Sequence, residues 1–255
     1  MSPAENAQEL SYKFDIYYNS ITSNQAPGLS EAEKSVFLTK AQDEILKNYF
    51  NPKGNKYQEG FDGSEKRQID FSAITRSYTD STLSPNSVFV PQAGGVKTAF
   101  IPSDLKVMMI INEKVKVVRD NKNIYLTVIP ISFDEYDRLT SKPYKRPLKN
   151  QAWRILTSDG TSPSADIVAG PRDNILEYTI RYIRQPKPII VGDTDGLTIN
   201  GYTYGTGTNE TQGCELDPIL HEEILQRAVE LAKAAWITTG QENLQALMQV
   251  GQRSE

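Results

Sequence analysis

Along the first fifty residues, apolar positions recur at helical spacing. Phe14, Tyr17, Tyr18 and Ile21 fit one helix face, while Tyr12, Phe14, Ile16 and Tyr18 also alternate as a strand would. The residues downstream favour the helix. Ala26-Pro27-Gly28 is a turn, and Ser30 with Glu33 forms a capping box, in which the serine oxygen accepts the N3 amide and the glutamate reaches back. Phe37, Leu38, Ala41, Ile45 and Tyr49 then make a stripe at helical spacing, which Asn51-Pro52-Lys53-Gly54 stops. A third helix is predicted from Ser64 to near Ala73.

From residue 74 the pattern shortens to that of strands. Thr, Tyr, Val and Ile become common and are broken by Pro and Gly, which predicts strands over 87–91, 107–112, 115–119, 124–131, 152–157, 176–184 and 189–191. Pro91 and Pro130 belong at strand ends or edges, because proline cannot donate to a central ladder. One short helix is predicted over 133–139. The gaps look too short for repeated βαβ crossovers, so the sheet is expected to be mostly antiparallel.

The last segment returns to a helical period. Asp217 can cap and Pro218 suits the first helical position, where its missing N–H is harmless. Ile224, Ala228, Leu231 and Ala235 come at i, i+4, i+7 and i+11, flanked by Leu225, Ala232 and Trp236, and the helix should end near Gly240. Glu222, Glu223, Gln226 and Arg227 fall on the opposite side. The expected class is α+β: an N-terminal helical region (1–75), a central mostly antiparallel β region with extended loops (76–213), and a long C-terminal amphipathic helix (214–255) packing on the rest.

Composition narrows the class. A chain of 255 residues buries roughly 70–75% of its unfolded surface and needs neither disulfide nor metal to hold a core. Hydrophobic residues make up 38% and mean hydropathy is -0.49, as in a water-soluble globular chain. No apolar run approaches the roughly 18 residues of a membrane-spanning helix. Met1-Ser2-Pro3-Ala4-Glu5 shows no basic stretch followed by an apolar one, so no secretory signal is expected. A single cysteine, Cys214, suits a reducing cytoplasm. A net charge of -4 argues against general nucleic-acid binding.

Candidate chemistry is sparse. His221 is the sole histidine, and His221-Glu222-Glu223 lacks the second histidine of a zincin motif, since position 225 is leucine. Cys214 has no histidine at a useful spacing and reads as structural. Gly192-Asp193-Thr194-Asp195-Gly196 hints at a calcium loop, but an EF-hand register puts Val191 and Tyr202 at ligand positions; an Asp-Gly hairpin turn is the plainer reading. The glycines from Gly201 to Gly207 lack the ending of a phosphate loop and suit a mobile loop or β arm. Neither a catalytic set, a cofactor nor a metal is expected.

One cluster stands out. Lys142, Lys145, Arg146, Lys149 and Arg154 lie without an acid among them, interleaved with Pro143, Tyr144, Pro147 and Trp153. Arg181 and Arg184 come on a later strand, with Arg181 and Tyr182 on opposite faces. Such a set fits phosphates or an acidic protein face, and Arg and aromatic residues are enriched at interface hot spots. The bland alternative is a solvated basic loop.

Several segments taken in order resemble structural proteins of crAss-like phages infecting gut Bacteroidetes. These are Phe133-Asp134-Glu135-Tyr136, the stretch from Pro143-Tyr144-Lys145-Arg146-Pro147 to Trp153-Arg154, Tyr178 to Ile190, and Cys214-Glu215-Leu216-Asp217-Pro218 leading to His221-Glu222-Glu223-Ile224. The closing run from Arg227 to Ala234 is also similar to that of other tailed-phage connector proteins. The resemblance extends to Ala26-Pro27-Gly28-Leu29 and the helix after it. It implies a ring protein of the phage neck, a head-to-tail connector present in a dodecamer matched to the portal. On that reading the partners are further copies of the chain, the portal protein and adjacent neck or tail rings, with passing contact to genomic DNA and no membrane. The chain would be made in the host cytoplasm and reside in the virion. Extended loops such as 192–213 suit strand addition to a neighbour, and a mildly acidic chain suits a DNA conduit. The motifs do not distinguish one ring of the stack from another. A tail hub or baseplate protein is the near alternative, and a β-rich carbohydrate-binding module, prompted by 13 tyrosines and two tryptophans, is the distant one.

Overall fold

The structure is a computed structural model that describes residues 3–22, 28–50, 65–85, 96–142, 145–158, 163–193, 196, 198–203 and 211–237. Its contacts divide the chain into two compact units: Met1–Ala73 with Pro186–Glu255, and Ile74–Gln185. The α+β class expected from the pattern is what the elements show.

The first unit is helical. Helix α1 spans Pro3–Thr22, α2 Glu31–Phe50 and α3 Glu65–Asp70. The alternation in α1 resolves as helix: Ala7, Leu10, Phe14 and Tyr18 are buried, whereas Tyr12 and Ile16 are exposed. The capping box before α2 forms, with Ser30 N–H donating to Glu33 Oε2 at 2.8 Å and Glu33 N–H to Ser30 Oγ at 3.3 Å. On α2, Leu38, Ala41, Ile45 and Leu46 form the buried face. Each fully buried leucine or phenylalanine of such a core contributes about 1.5–3 kcal/mol. The stop at Asn51–Gly54, the turn residues Ala26 and Pro27, and Ser64 lie outside the described residues.

The C-terminal helix spans Pro218–Ile237 (α5), with the Ile219 N–H on Asp217 Oδ1 at 3.0 Å. Its buried face is rotated from the expected one. Leu220, Ile224, Leu225, Ala228, Val229 and Ala232 are buried, Leu231 is half-buried and Ala235 is exposed. A simple i+7, i+11 row picks out Leu231 and Ala235, but the helix is covered along the neighbouring row by α2 and α1. The side chain of Trp236 and the stop near Gly240 lie outside the described residues.

Residues 189–191 do not form the expected strand; only Ile190 makes a β-bridge, to Gln212, with both bonds at 2.8 Å. The extended backbone there is held instead by side chains of α2. Thr39 Oγ1 accepts from Ile189 N–H (3.1 Å) and donates to Ile189 O (3.3 Å), and Ser35 Oγ accepts from Val191 N–H at 3.1 Å. Gln42 Nε2 donates to Lys187 O at 3.1 Å, and Glu31 accepts from Asp193 N–H at 3.1 Å. Glu31, Ser35, Thr39 and Gln42 recur every three or four residues and so form one polar stripe on the helix. Opposite them lie alternate residues of an extended chain, whose backbone groups must find partners when buried.

The second unit is a rolled sheet. Its strands are β1 (Thr75–Asp80), β2 (Ser84–Pro85), β3 (Val96–Phe100), β4 (Val107–Arg119), β5 (Lys122–Pro130), β6 (Gln151–Ser158), β7 (Pro163–Val168) and β8 (Asn174–Arg184). They hydrogen-bond in the order β1-β8-β4-β5-β6-β7-β3-β2. The expected strands 107–112 and 115–119 are one bulged strand, β4. Strands β1, β2, β3 and β7 were not anticipated, and 87–91 lies outside the described residues. Helix α4 (Phe133–Thr140) forms where expected, capped by Ser132 Oγ accepting from Glu135 N–H at 3.2 Å. Every pairing is antiparallel except β5 with β6, which is parallel. The residues between Pro130 and Gln151 hold the one crossover, through α4, and the sheet is mostly antiparallel, as expected. Pro130 ends β5, as predicted.

The two ends of the strand order meet. Asp80 of β1 accepts the Phe100 N–H of β3 at 2.8 Å, and Lys97 Nζ donates to Ile175 O of β8 at 2.7 Å. The enclosed core contains Val115, Val117, Leu126, Val128, Ile167 and Tyr178. Outside the roll, Tyr136 of α4 covers Trp153, Ile155 and Val168. A two-residue turn joins β4 to β5 at Asp120 and Asn121, both left-handed (φ 50° and 59°), as a type I′ hairpin demands. In the first unit a second such hairpin joins β9 (Thr198–Ile199) to β10 (Tyr202–Thr203) through Asn200 and Gly201 (φ 51° and 75°). The expected Asp-Gly turn falls at Asp195, outside the described residues, and residues 204–207 of the glycine-rich stretch also lie outside them.

Candidate interaction surface

The loop leaving α4 carries the basic cluster. Lys145 N–H bonds Lys142 O at 3.0 Å and Gln151 N–H bonds Leu148 O at 2.9 Å, so backbone turns shape the loop before it enters β6. Lys142, Lys145 and Arg146 line a small cleft with Tyr136, Pro171 and a floor of Trp153. Its volume is about 40 Å³, little more than one or two waters occupy. An adjoining groove of about 300 Å³ shares Pro147 and Pro171 with the cleft and is lined by Leu148, Lys149, Arg119 and Arg172. Lys142, Lys145, Arg146, Lys149 and Arg172 are exposed, and so is Leu148 at 68%. Tyr144 lies outside the described residues.

The remaining members of the cluster go elsewhere. Arg154 is buried inside the roll, its Nη2 2.9 Å from Glu113, which also accepts the Tyr178 hydroxyl at 2.8 Å. Burial pushes the Glu113 carboxyl above its ordinary range, against the pull of Arg154 and the Tyr178 hydrogen bond. The Tyr178 phenol is driven well above its usual range by burial first and by the Glu113 charge next. Arg154 is thus spent on the core. Arg181 is exposed on β8 and Arg184 half-buried further along it, and neither lines the cleft. As expected, Tyr182 lies buried while Arg181 faces out.

Arg119 and Arg172 were missed by sequence reasoning. Arg119 grips Asp173 through two bonds, 2.5 and 2.7 Å, and Asp173 also accepts Gly170 N–H at 3.1 Å. The turn carrying Arg172 is therefore anchored to the end of β4. The signal was a pair of short polar stretches, Arg119-Asp120-Asn121 and Pro171-Arg172-Asp173, too common in type to stand out.

Cys214 and His221 are both taken up in contacts within the helical unit. Cys214 is buried, its Sγ donating to Gln42 Oε1 at 3.4 Å, and burial pushes its pKa up to about 12. His221 sits half-buried on the first turn of α5 with Nε2 3.1 Å from Leu216 O. Among the described residues no group of three or more His, Cys, Asp or Glu could hold a metal, and no helix is long and apolar enough to cross a membrane.

Charge is divided unevenly between the two units. Over Ile74–Gln185, 16 Lys and Arg stand against 11 Asp and Glu, a net of +5; the rest of the chain has 12 against 21, a net of -9, which together give the -4 of the whole. In the helical unit, α1 and α5 flank a groove of about 470 Å³ lined by Leu10, Leu216 and Leu225, with Glu9, Lys13, Pro218, His221 and Glu222 around them. Lys13 is paired with Glu9 at 2.6 Å.

Surfaces of this kind, charged and apolar, suit a chain that works by contact with other proteins. Residues 5–243 match the family model of phage tail ring protein 3/4, and the chain belongs to that family. Ring protein 4/5 of Bacteroides phage crAss001 is 47% identical over 98% of this chain and all of its own length. Ring protein 3 of the same phage is 32% identical over 88% of this chain and 94% of its own.

Proposed function

We propose that the chain is a structural subunit of a ring in the phage neck, present in twelve copies, joining the portal to the tail and forming part of the channel through which DNA passes. The carrying observation is the family match, which extends through both units rather than over one of them. The reading assigns the chain no catalysis. Its partners are copies of itself, the portal and adjacent rings. Its contact surface includes Lys142, Lys145 and Arg146 around the cleft floored by Trp153, Lys149 in the adjoining groove, and Tyr144 from the same run of sequence. Arg181, exposed on β8, is a separate candidate contact, while Arg184 three residues on falls on the other face of the strand. A carbohydrate-binding module would need several aromatic rings exposed together on a sheet face. Trp153 is only 8% exposed beneath α4, and the exposed rings Tyr125 and Phe100 stand on β5 and β3, with β6 and β7 between them.

Quantitative mass spectrometry of purified virions tests this. The expected result is a copy number equal to that of the portal. Absence from the virion, or only one or a few copies, refutes the ring.

A further inference from the structure

We infer that, in the proposed ring, the contact between neighbouring copies seats the basic loop of one rolled-sheet unit in the α1–α5 groove of the next copy's helical unit. This rests on the ring reading and names the surfaces that build it. A closed ring of identical subunits needs two different, complementary patches on each copy. The loop offers Leu148, 68% exposed, between Arg146 and Lys149. A single exposed leucine is unremarkable on its own; the flanking cations and a matching groove on the same chain give it meaning. The groove offers a leucine-lined floor with Glu9 and Glu222 at its walls, and its volume of about 470 Å³ readily admits a leucine side chain.

Charge complementarity selects a second copy as the occupant. The sheet unit carries +5 and the helical unit -9, so like units repel and unlike units attract. Ile219, 65% exposed, directly follows Pro218, which lines the groove, and extends its apolar surface. Lys13, the one cation lining it, and Glu9 neutralise each other in an ion pair, which leaves Glu222 as the net negative charge of the lining.

The test is cross-linking within assembled virions. Leu148→Cys and Glu222→Cys are placed together in the chain and treated with a short bismaleimide; both sites are exposed, and buried Cys214 does not react. The expected result is a ladder of two, three and more chain masses, absent from either single variant and from Leu148→Cys paired with Tyr125→Cys. Virions that hold the chain at ring copy number but give no ladder overturn the contact and leave the ring standing. So does a cross-link confined to single chains, or one from position 148 to the portal. Virions without the chain overturn both readings. Independently, Lys145→Glu with Lys149→Glu should abolish incorporation, and adding Glu9→Lys with Glu222→Lys should restore it, a rescue that misfolding would not give.

Discussion

Thr39→Val isolates the clamp that holds the segment after the rolled sheet. One hydroxyl, on a residue only 2% exposed, satisfies both backbone groups of Ile189, which is fully buried. Valine keeps the shape and removes the oxygen. The Ile189 N–H and C=O would then sit buried and bare, at about 1–3 kcal/mol for each unsatisfied group. Partial relaxation of the backbone trims the sum, and we expect about 2–4 kcal/mol. For a chain of this size that lowers Tm by roughly 5–15 °C.

The assay is thermal and urea denaturation followed at 222 nm, with hydrogen exchange read at Ile189 and Val191. Thr39→Ser is the control, because it keeps the hydroxyl and loses one methyl, and it should cost about 1 kcal/mol. If Val and Ser variants melt together, packing rather than hydrogen bonding holds the segment. If Val melts within a degree or two of the parent while exchange at Ile189 stays slow, the clamp reasoning is refuted.

Three other substitutions probe the same structure. Arg154→Met should cost about 3–5 kcal/mol by stranding buried Glu113, and adding Glu113→Met should return much of it; a double variant as unstable as the single would contradict the pairing. Gly192→Ala would put a Cβ 1.7 Å from Glu31 Oε2, so the carboxylate must swing away and release the Asp193 N–H, costing about 1 kcal/mol. The penalty should shrink in a Glu31→Ala background, and equal penalties in both would refute the steric cause. Cys214 is held protonated, its pKa raised from 9.0 to about 12. The native state therefore keeps a proton that the unfolded chain loses above pH 9, and stability falls as pH rises from there toward 12, by up to about 1.4 kcal/mol per unit. Urea melts across that range should show Cys214→Ala losing less stability than the parent.

The helices were largely legible because their signals are local. The capping box at Ser30 and Glu33, the Asp217-Pro218 start and the short helix over Phe133–Thr140 each depend on neighbours a few residues away. The missed strands lack such signals. Thr75–Asp80 shows little buried alternation, and Pro163–Val168 opens on Pro-Ser-Ala-Asp yet is buried from Ser164 onward. Residues 189–191 misled for a physical reason. Ile-Ile-Val does take extended backbone, but its partners are the side chains of Ser35 and Thr39 and a single bridge rather than a ladder. At the candidate surface, Lys142, Lys145, Arg146 and Lys149 were readable as a run of charge. That Arg154 turns inward could not be read, because it depends on Glu113 arriving from two strands away in the sheet.

The size of the inferred contact bears on how such a ring forms. Exposed ion pairs contribute about 0.2–1 kcal/mol each, so a few of them add about 1–3 kcal/mol. Burying Leu148 adds about 1.5–3 kcal/mol. The gross gain is a few kcal/mol, near the roughly 4.1 kcal/mol of a millimolar dissociation constant, before the cost of ordering the loop. Free chain at micromolar concentration is therefore expected to sediment as a monomer. In a ring each copy makes the contact twice, and a neighbouring ring that holds the copies side by side raises their effective concentration. Closure then comes from the template rather than from the pair. A ring of the isolated chain that survives micromolar dilution and about 0.5 M salt, where exposed charges are screened over only a few ångströms, would require far more buried surface than the Leu148 groove supplies.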